Sequence, residues 1–135
     1  MTIKEAFETI SLHETTITDI LISQKSMDLC IEYITEPCGD KKDQTAKRMR
    51  MRLVFVGLIG NCLESSIKVI KIGKITANQT SIPKFIKILK KHTMDVYLDY
   101  YSSVAQSILI LGTINGQEYC IEITDIESIQ ISNEQ

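Results

Sequence analysis

The residues able to support acid–base, nucleophilic or metal chemistry are few in this chain of 135 residues, and they are scattered. Its two histidines, His13 and His92, lie far apart, and neither belongs to a Cys/His cluster with the spacing of a zinc site. A lone histidine at a helix-to-strand junction, as His13 is, is typically structural. The chain has no Walker loop and no G-x-G-x-x-G segment to hold phosphates. We therefore expect no enzyme activity, no metal and no cofactor.

The cysteines follow no C-x-x-C spacing; they are Cys30, Cys38, Cys62 and Cys120. A chain of this length buries enough surface to fold without disulfide bonds, so we expect mostly buried thiols. A bridge between Cys30 and Cys38 stays open as an alternative, because spacing alone does not define connectivity.

Composition and length match one globular domain over residues 1–135, with 44% hydrophobic and 24% charged residues. These values exclude a disordered tail, a collagen-like repeat and a multi-domain enzyme. Acidic residues interrupt the start of the chain, where an export signal needs a continuous apolar stretch. The longest apolar runs are far shorter than a membrane-spanning helix. The sequence thus predicts a cytoplasmic protein that does not enter a membrane.

Charge is segregated along the chain behind a net charge of −2. Residues 1–40 hold two lysines against eight acids, and residues 93–135 hold seven acids without any Lys or Arg. Residues 41–92 hold thirteen Lys or Arg against two acids. Either the segments neutralise each other in the fold, or one of them presents a face of a single sign that attracts a charged partner.

The chain is rich in β-branched residues, and period-two alternation predicts mostly strands. We expect an α+β fold with a mainly antiparallel sheet of about six to eight strands, an N-terminal helix and one basic amphipathic helix. The N-terminal helix follows from the spacing of Ile3, Phe7 and Ile10, and the basic helix spans about 82–92 with Ser81 as its cap. Asn115-Gly116 predicts a tight hairpin turn. The expected strands are 15–23, 27–35, 48–56, 67–76, 96–101, 107–114 and 117–124, with 126–131 continuing the apolar pattern.

The acidic C-terminal block supplies the first candidate binding surface. Alternation places Glu118 and Glu122 on the face opposite Tyr119, Ile121 and Ile123, so the two glutamates are expected to be exposed. Tyrosine is enriched at binding hot spots, and alternation in the expected strand 96–101 places Tyr97 and Tyr101 on the same face as Asp99. The further candidates for this partner-binding surface are Asp95, Asp99, Tyr97, Tyr101, Asp125 and Glu127.

The basic middle of the chain supplies an alternative surface for nucleic acid. Arg48, Arg50 and Arg52 alternate with apolar residues and predict an exposed arginine ladder on one strand. Lysines on the next strand extend this basic surface; they are Lys68, Lys71 and Lys74. Aromatic residues for base stacking are missing from it, which favours a solvated strand face instead.

Two short motifs resemble a known class of proteins. The segment Leu12-His13-Glu14-Thr15-Thr16-Ile17, followed by a strand, resembles the L-H-[DE]-[ST]-x-[IL] opening of small bacterial immunity proteins of polymorphic-toxin and contact-dependent inhibition systems. Phe55-Val56-Gly57 is similar to the F-x-G step that ends a later strand in such proteins. Glu14 and Thr15 depart from the more frequent Asp and Ser. The resemblance implies a cytosolic protein that binds a cognate toxin domain, commonly a nuclease, and covers its active site.

The leading functional hypothesis is therefore a non-catalytic inhibitor that binds a toxin protein. A nucleic-acid-binding module that uses the arginine ladder is one alternative. A structural or oligomerising subunit is another, and the sequence does not define the oligomeric state.

Overall fold

A computed structural model describes residues 5–6, 11–35, 45–56, 66–102, 104 and 107–134. In these residues nine strands and one bounded helix follow each other along the chain. They are β1 (Thr16–Ile22), β2 (Ser26–Thr35), β3 (Thr45–Phe55), β4 (Ile67–Ile72), β5 (Ala77–Thr80), α1 (Ile82–Lys91), β6 (Met94–Ser102), β7 (Ser107–Ile114), β8 (Gln117–Ile123) and β9 (Ile126–Glu134).

The strands form one antiparallel sheet in the order β5-β4-β8-β7-β6-β1-β2-β3-β9. β8 and β9 are joined by only Thr124 and Asp125, yet they lie six places apart in this order. The sheet must therefore curl back on itself, with β8 ending beside the start of β9. Backbone hydrogen bonds close this corner, from Val56 N to Asp125 O (2.9 Å) and from Thr124 N to Ser66 O (2.8 Å).

The concave side of the curled sheet holds the hydrophobic core. Every second residue of β7 is buried, namely Ile108, Ile110, Gly112 and Ile114, and the residues that alternate with them are half-buried. Helix α1 packs on β1 and β4 and directs Phe85 and Leu89 into this core. The Phe85 ring lies against the Tyr119 ring of β8, with a centroid distance of 5.4 Å.

The α+β class with a mainly antiparallel sheet is confirmed, while the expected number of six to eight strands is too low. β5 has the polar sequence Ala-Asn-Gln-Thr, which carries no apolar alternation to predict a strand. β9 is a separate strand because the chain bends at Asp125, where φ is +59°.

Local predictions with a clear stereochemical signal are also confirmed. Ser81 caps α1 by accepting a hydrogen bond from Lys84 N, and Pro83 occupies the first helical turn. Asn115 and Gly116 have φ of +49° and +81° and join β7 to β8, as a two-residue hairpin turn requires.

Several predicted features lie wholly or partly outside the described residues. Glu5 and Ala6 have a helical backbone, but the rest of the expected N-terminal helix is outside them. Gly57, Cys38 and Cys62 also lie outside the described residues. Cys30 and Cys120 are thiols. No helix in the described part of the chain combines the length and apolar composition needed to cross a bilayer.

A β-bulge in β6 reverses the orientation of the side chains that follow it. Val96 lies opposite Gly112 of β7, but the next pair is Leu98 with Leu111, so Tyr97 is an extra residue. β6 and β7 approach each other closely here. A Cβ on Gly112 would lie 2.5 Å from Asp95 O and 2.8 Å from the Met94 Cε.

We predict that Gly112→Ala lowers the free energy of unfolding by about 1 to 3 kcal/mol, because the new methyl group meets backbone that cannot move away cheaply. Urea unfolding followed by circular dichroism measures this change. Thr113→Ala is the matched control, since it alters the neighbouring half-buried residue without adding an atom. Equal stability of Gly112→Ala and the wild type would contradict the close approach of β6 and β7.

Candidate functional site

The turn that precedes β1 holds the β6 bulge in place. Glu14 N donates to Val96 O (3.0 Å), and Val96 N donates to Thr15 O (2.9 Å). The Nδ1 of His13 donates to the carbonyl oxygen of Tyr97, the extra residue of the bulge. Beyond this turn β1 and β6 share only two residue pairs, so these contacts are the main link between the two strands.

The turn itself is shaped by two residues of the same short motif. Leu12 is fully buried, and its carbonyl oxygen accepts hydrogen bonds from Thr15 N (3.1 Å) and Thr15 Oγ1 (2.6 Å). Glu14 adopts a φ of +65°, which the tight reversal requires. The segment Leu12–Ile17 therefore docks β1 on β6.

The bulge creates an apolar surface on the convex side of the sheet. After the bulge, Leu98 lies opposite Leu111 and Tyr100 lies opposite Leu109, on the side that faces away from the core. β8 and β4 continue this surface, because Cys120 lies opposite both Leu111 and Ile70. We call these residues the apolar outer face: Ile70, Leu98, Tyr100, Leu109, Leu111 and Cys120.

The most exposed part of the apolar outer face lies on β6. Leu98 is 48% exposed and Tyr100 is 59% exposed. Tyr97, the extra residue of the bulge, is 42% exposed on the same strand. Exposed large apolar side chains beside half-buried apolar residues of the next strand are typical of a protein-binding site.

Three of the predicted acids lie at the margin of the apolar outer face. Glu118 is exposed and Glu122 is half-buried, while Tyr119, Ile121 and Ile123 are buried, so the predicted strand phase of β8 is confirmed. Asp95 is exposed at the start of β6, beside Thr113 of β7, and accepts a hydrogen bond from the Thr16 hydroxyl (3.2 Å).

The other predicted acids lie elsewhere. Asp99 and Tyr101 share a face, as expected, but the bulge turns that face toward the core. The Asp99 Oδ2 accepts a hydrogen bond from Leu12 N (3.3 Å), and Tyr101 packs against the core. Asp125 lies at the corner between β8 and β9, where its Oδ2 accepts a hydrogen bond from the Ser66 hydroxyl (3.1 Å), and Glu127 is the second residue of β9.

The arginine ladder on β3 is paired with acids of β2. Arg52 binds Asp28 through two hydrogen bonds, Nε to Oδ1 (2.8 Å) and Nη2 to Oδ2 (3.0 Å). The Arg50 Nη1 lies 3.6 Å from the same carboxylate, and Arg48 Nε lies 3.8 Å from Glu32 Oε2. The first interpretation of the charge map therefore holds for these strands, because acids of the first block neutralise arginines of the second.

The Asp28 carboxylate is buried, with 8% of its side chain exposed. The hydrogen bonds from Arg52 hold the pKa of Asp28 below its usual value and outweigh the opposite effect of burial. This pair is consequently a structural ion pair of the sheet, with good bidentate geometry.

The lysines of the alternative surface are exposed but do not continue the ladder. Lys68 lies opposite Glu122 of β8, and Lys71 lies opposite Tyr119 and thus on the other side of the sheet. Lys74 is exposed in the turn between β4 and β5. In the strand order β4 is separated from β3 by five other strands, so these residues and the arginines do not form one strip.

One cleft, of about 320 Å³, lies on the convex side of β1, β2 and β3. Its polar lining is already engaged, because Glu32 faces Arg48 and the Asp19 Oδ1 accepts a hydrogen bond from Ile20 N (2.8 Å). It offers few polar groups that converge on a small ligand.

Catalytic and metal-binding arrangements are not apparent in the described part of the chain. No three His, Cys, Asp or Glu side chains there come together to hold a metal ion. Burial, and secondarily the charge of Glu122, raises the pKa of the Cys120 thiol. A raised pKa disfavours the thiolate, which is the nucleophilic form.

Sequence reasoning missed the apolar half of this surface. Leu109 and Leu111 lie in an almost continuous apolar run, Ile108 to Leu111, and such a run indicates a strand with apolar residues on both sides. The sequence therefore contained a signal for Leu109 and Leu111. It contained no signal for the outward position of Leu98 and Tyr100, because that position depends on the bulge. A comparison of the chain with protein-family models, curated proteins and solved structures finds no match.

We predict that Asp28→Asn lowers the free energy of unfolding at neutral pH by about 1.5 to 3 kcal/mol, because it removes the charge from the two hydrogen bonds to Arg52. The folded-state pKa of Asp28 is depressed. The stabilisation is thus complete above the pKa that Asp28 has in the unfolded chain, and it is lost as the pH falls through the lower folded-state pKa. Urea unfolding across this acidic range should bring wild type and variant together.

Glu32→Gln is the matched control on the same strand. Its contact with Arg48 is longer, at 3.8 Å, and both side chains are more exposed. We expect a change below about 1 kcal/mol. An equal loss in both variants would argue against a special role for the Asp28–Arg52 pair.

Proposed function

We propose that this protein is a non-catalytic inhibitor that binds another protein through the apolar outer face, and that its partner is a bacterial toxin in the cytoplasm. The observation that carries the proposal is the exposure of Leu98 and Tyr100 beside Leu109 and Leu111 on the convex side of the sheet. Burial of such side chains in an interface is the main favourable term in protein association.

The contrast with the other convex surface supports this choice. On β2 and β3 the outward residues include Asp28, Glu32 and the three arginines, which contact each other through the Asp28–Arg52 and Glu32–Arg48 pairs. That surface gains little from a partner, because its charges are already neutralised. Leu98 and Tyr100 of the apolar outer face are not covered in this way by any described residue, and a partner would bury them.

Charge at the margin favours a basic partner. Glu118, Glu122 and Asp95 border the apolar outer face, and acids in this position accelerate association with a positively charged protein surface. Nucleases carry such surfaces because they bind phosphate backbones. The immunity role itself rests on the resemblance of Leu12–Ile17 to the opening motif of immunity proteins.

We predict that Tyr100→Ala weakens binding to the partner by about 2 kcal/mol, or roughly 30-fold, because the aromatic side chain at the centre of the exposed patch loses its contacts. The partner is first captured from native host lysate by the tagged protein, with and without nuclease treatment, and identified by mass spectrometry. Affinity is then measured with purified proteins.

Ile34→Ala is the matched control, since Ile34 is 61% exposed on β2, away from the apolar outer face. The proposal requires a protein that wild type and Ile34→Ala both retain and Tyr100→Ala loses. Equal retention by all three would place the binding site elsewhere. Nucleic acid released by salt, without a specific protein, would instead support the alternative of a nucleic-acid-binding module.

We predict that the double change Glu118→Lys and Glu122→Lys slows association with the same partner and removes its salt dependence, while the protein stays folded. Stopped-flow or surface-plasmon-resonance kinetics at low and moderate salt measure this. Glu127→Lys is the control, because Glu127 is exposed near the start of β9, away from the apolar outer face. An association rate unchanged by the double substitution would contradict the role of the acidic margin.

A further inference from the structure

The outer edge of β9 is a second surface without a partner in the described residues. β9 is the last strand in the order of the described sheet, and among the described strands it pairs with β3 alone. No backbone hydrogen bond joins its other side to any described residue. The opposite edge of the sheet is β5, which has only four residues, whereas β9 has nine.

The part of β9 from Ser128 to Asn133 lacks the devices that normally protect an edge strand. Edge strands are usually blunted by lysine, proline, short length or a central bulge. β9 has the sequence IESIQISNE, with no lysine, arginine or proline, and its bulge at Glu127 is next to its first residue. The segment from Ser128 onward pairs with β3 in continuous register.

Backbone geometry shows which groups point to this edge. Phe55 N donates to Lys25 O (2.9 Å), which lies on the β2 side of β3. Backbone groups of successive residues in a strand point to opposite sides, so Arg52, three residues earlier, directs its N–H and C=O toward β9. Gln130 lies opposite Arg52 and therefore uses its N–H and C=O toward β3. Its neighbours Ile129 and Ile131 then direct theirs to the open edge.

We propose that a second copy of this chain pairs with this edge, β9 against β9 and antiparallel, about a two-fold axis at Gln130. In this register Ile129 faces the second copy's Ile131, Ser128 faces its Ser132, and no two acids are opposite each other. Each Ile129–Ile131 pair exchanges two backbone hydrogen bonds, which extends the sheet across both copies.

Two neighbouring registers would also place the core-facing side chains of both copies on the same side of the extended sheet, but they are less favourable. A two-fold axis at Ile129 places Glu127 opposite Ile131, and an axis at Ile131 places Asn133 opposite Ile129. Between Glu127 and Asn133, only the axis at Gln130 matches apolar with apolar and polar with polar residues; it leaves Ile126 opposite Glu134 at the ends of the strand. The dimer forms away from the apolar outer face, so it is independent of the function proposed above.

Gln130 provides a charge-complementation test, because the Gln130 side chains of the two copies would be direct neighbours across the two-fold axis. We expect wild type to sediment at twice the chain mass of 15.3 kDa. Gln130→Lys and Gln130→Glu should each dimerise about fivefold more weakly, because like charges become direct neighbours across the axis. An equal mixture of the two variants should recover the dimer as a heterodimer.

Gln79→Lys on β5 is the control and should leave the dimer unchanged, and thermal melts check that each variant is folded. A wild type that is monomeric throughout a concentration series overturns the proposal and leaves the edge to a strand from another protein. A dimer that neither charge at Gln130 affects overturns it as well.

Discussion

The hydrogen bonds between the Leu12–Thr16 turn and the β6 bulge are the constraint on which much of this structure depends. They attach β1 to β6, and so join the two parts of the curled sheet where strand pairing is short. They also stabilise Tyr97 as an extra residue. Without that residue, Leu98 and Tyr100 would continue the inward phase of Met94 and Val96. A few polar contacts at the edge of the core thus determine which apolar side chains face solvent.

The two convex surfaces of the sheet differ in how their side chains are satisfied. Acids of β2 and arginines of β3 come from oppositely charged parts of the sequence, and they meet in register across adjacent strands. Their mutual contacts leave little charge to attract a polyanion. On β6, β7 and β8 the central side chains are apolar and the charges lie at the margin. This difference, rather than the total charge, distinguishes the surface suited to a partner from the one that serves the fold.

Much of the fold could be predicted from the sequence, because alternation and turn residues report on local geometry. The β2, β3, β7 and β8 strands, helix α1 with its Ser81 cap, and the Asn115-Gly116 turn all follow from such signals. The prediction was wrong where distant contacts decide. The bulge at Tyr97 is held by residues some eighty positions earlier, so no pattern within β6 reveals it. β5 carries no apolar alternation and is a strand because it pairs with β4. The sequence therefore predicted the acids at the margin of the candidate surface, but only part of its apolar centre.

The place of β3 in the strand order bears on synthesis as well as on the finished fold. β3 pairs with β2 at once, but its other side waits for β9, which leaves the ribosome only after β4 to β8. During that interval β3 is an exposed edge with Met49, Met51 and Leu53 on one side. Arg48, Arg50 and Arg52 line the other side, and charges at such positions repel a second nascent strand. Asp28 and Glu32 of β2 meet three arginines as soon as the β2–β3 hairpin forms, so one positive charge remains in excess along this edge and disfavours pairing with a second nascent strand.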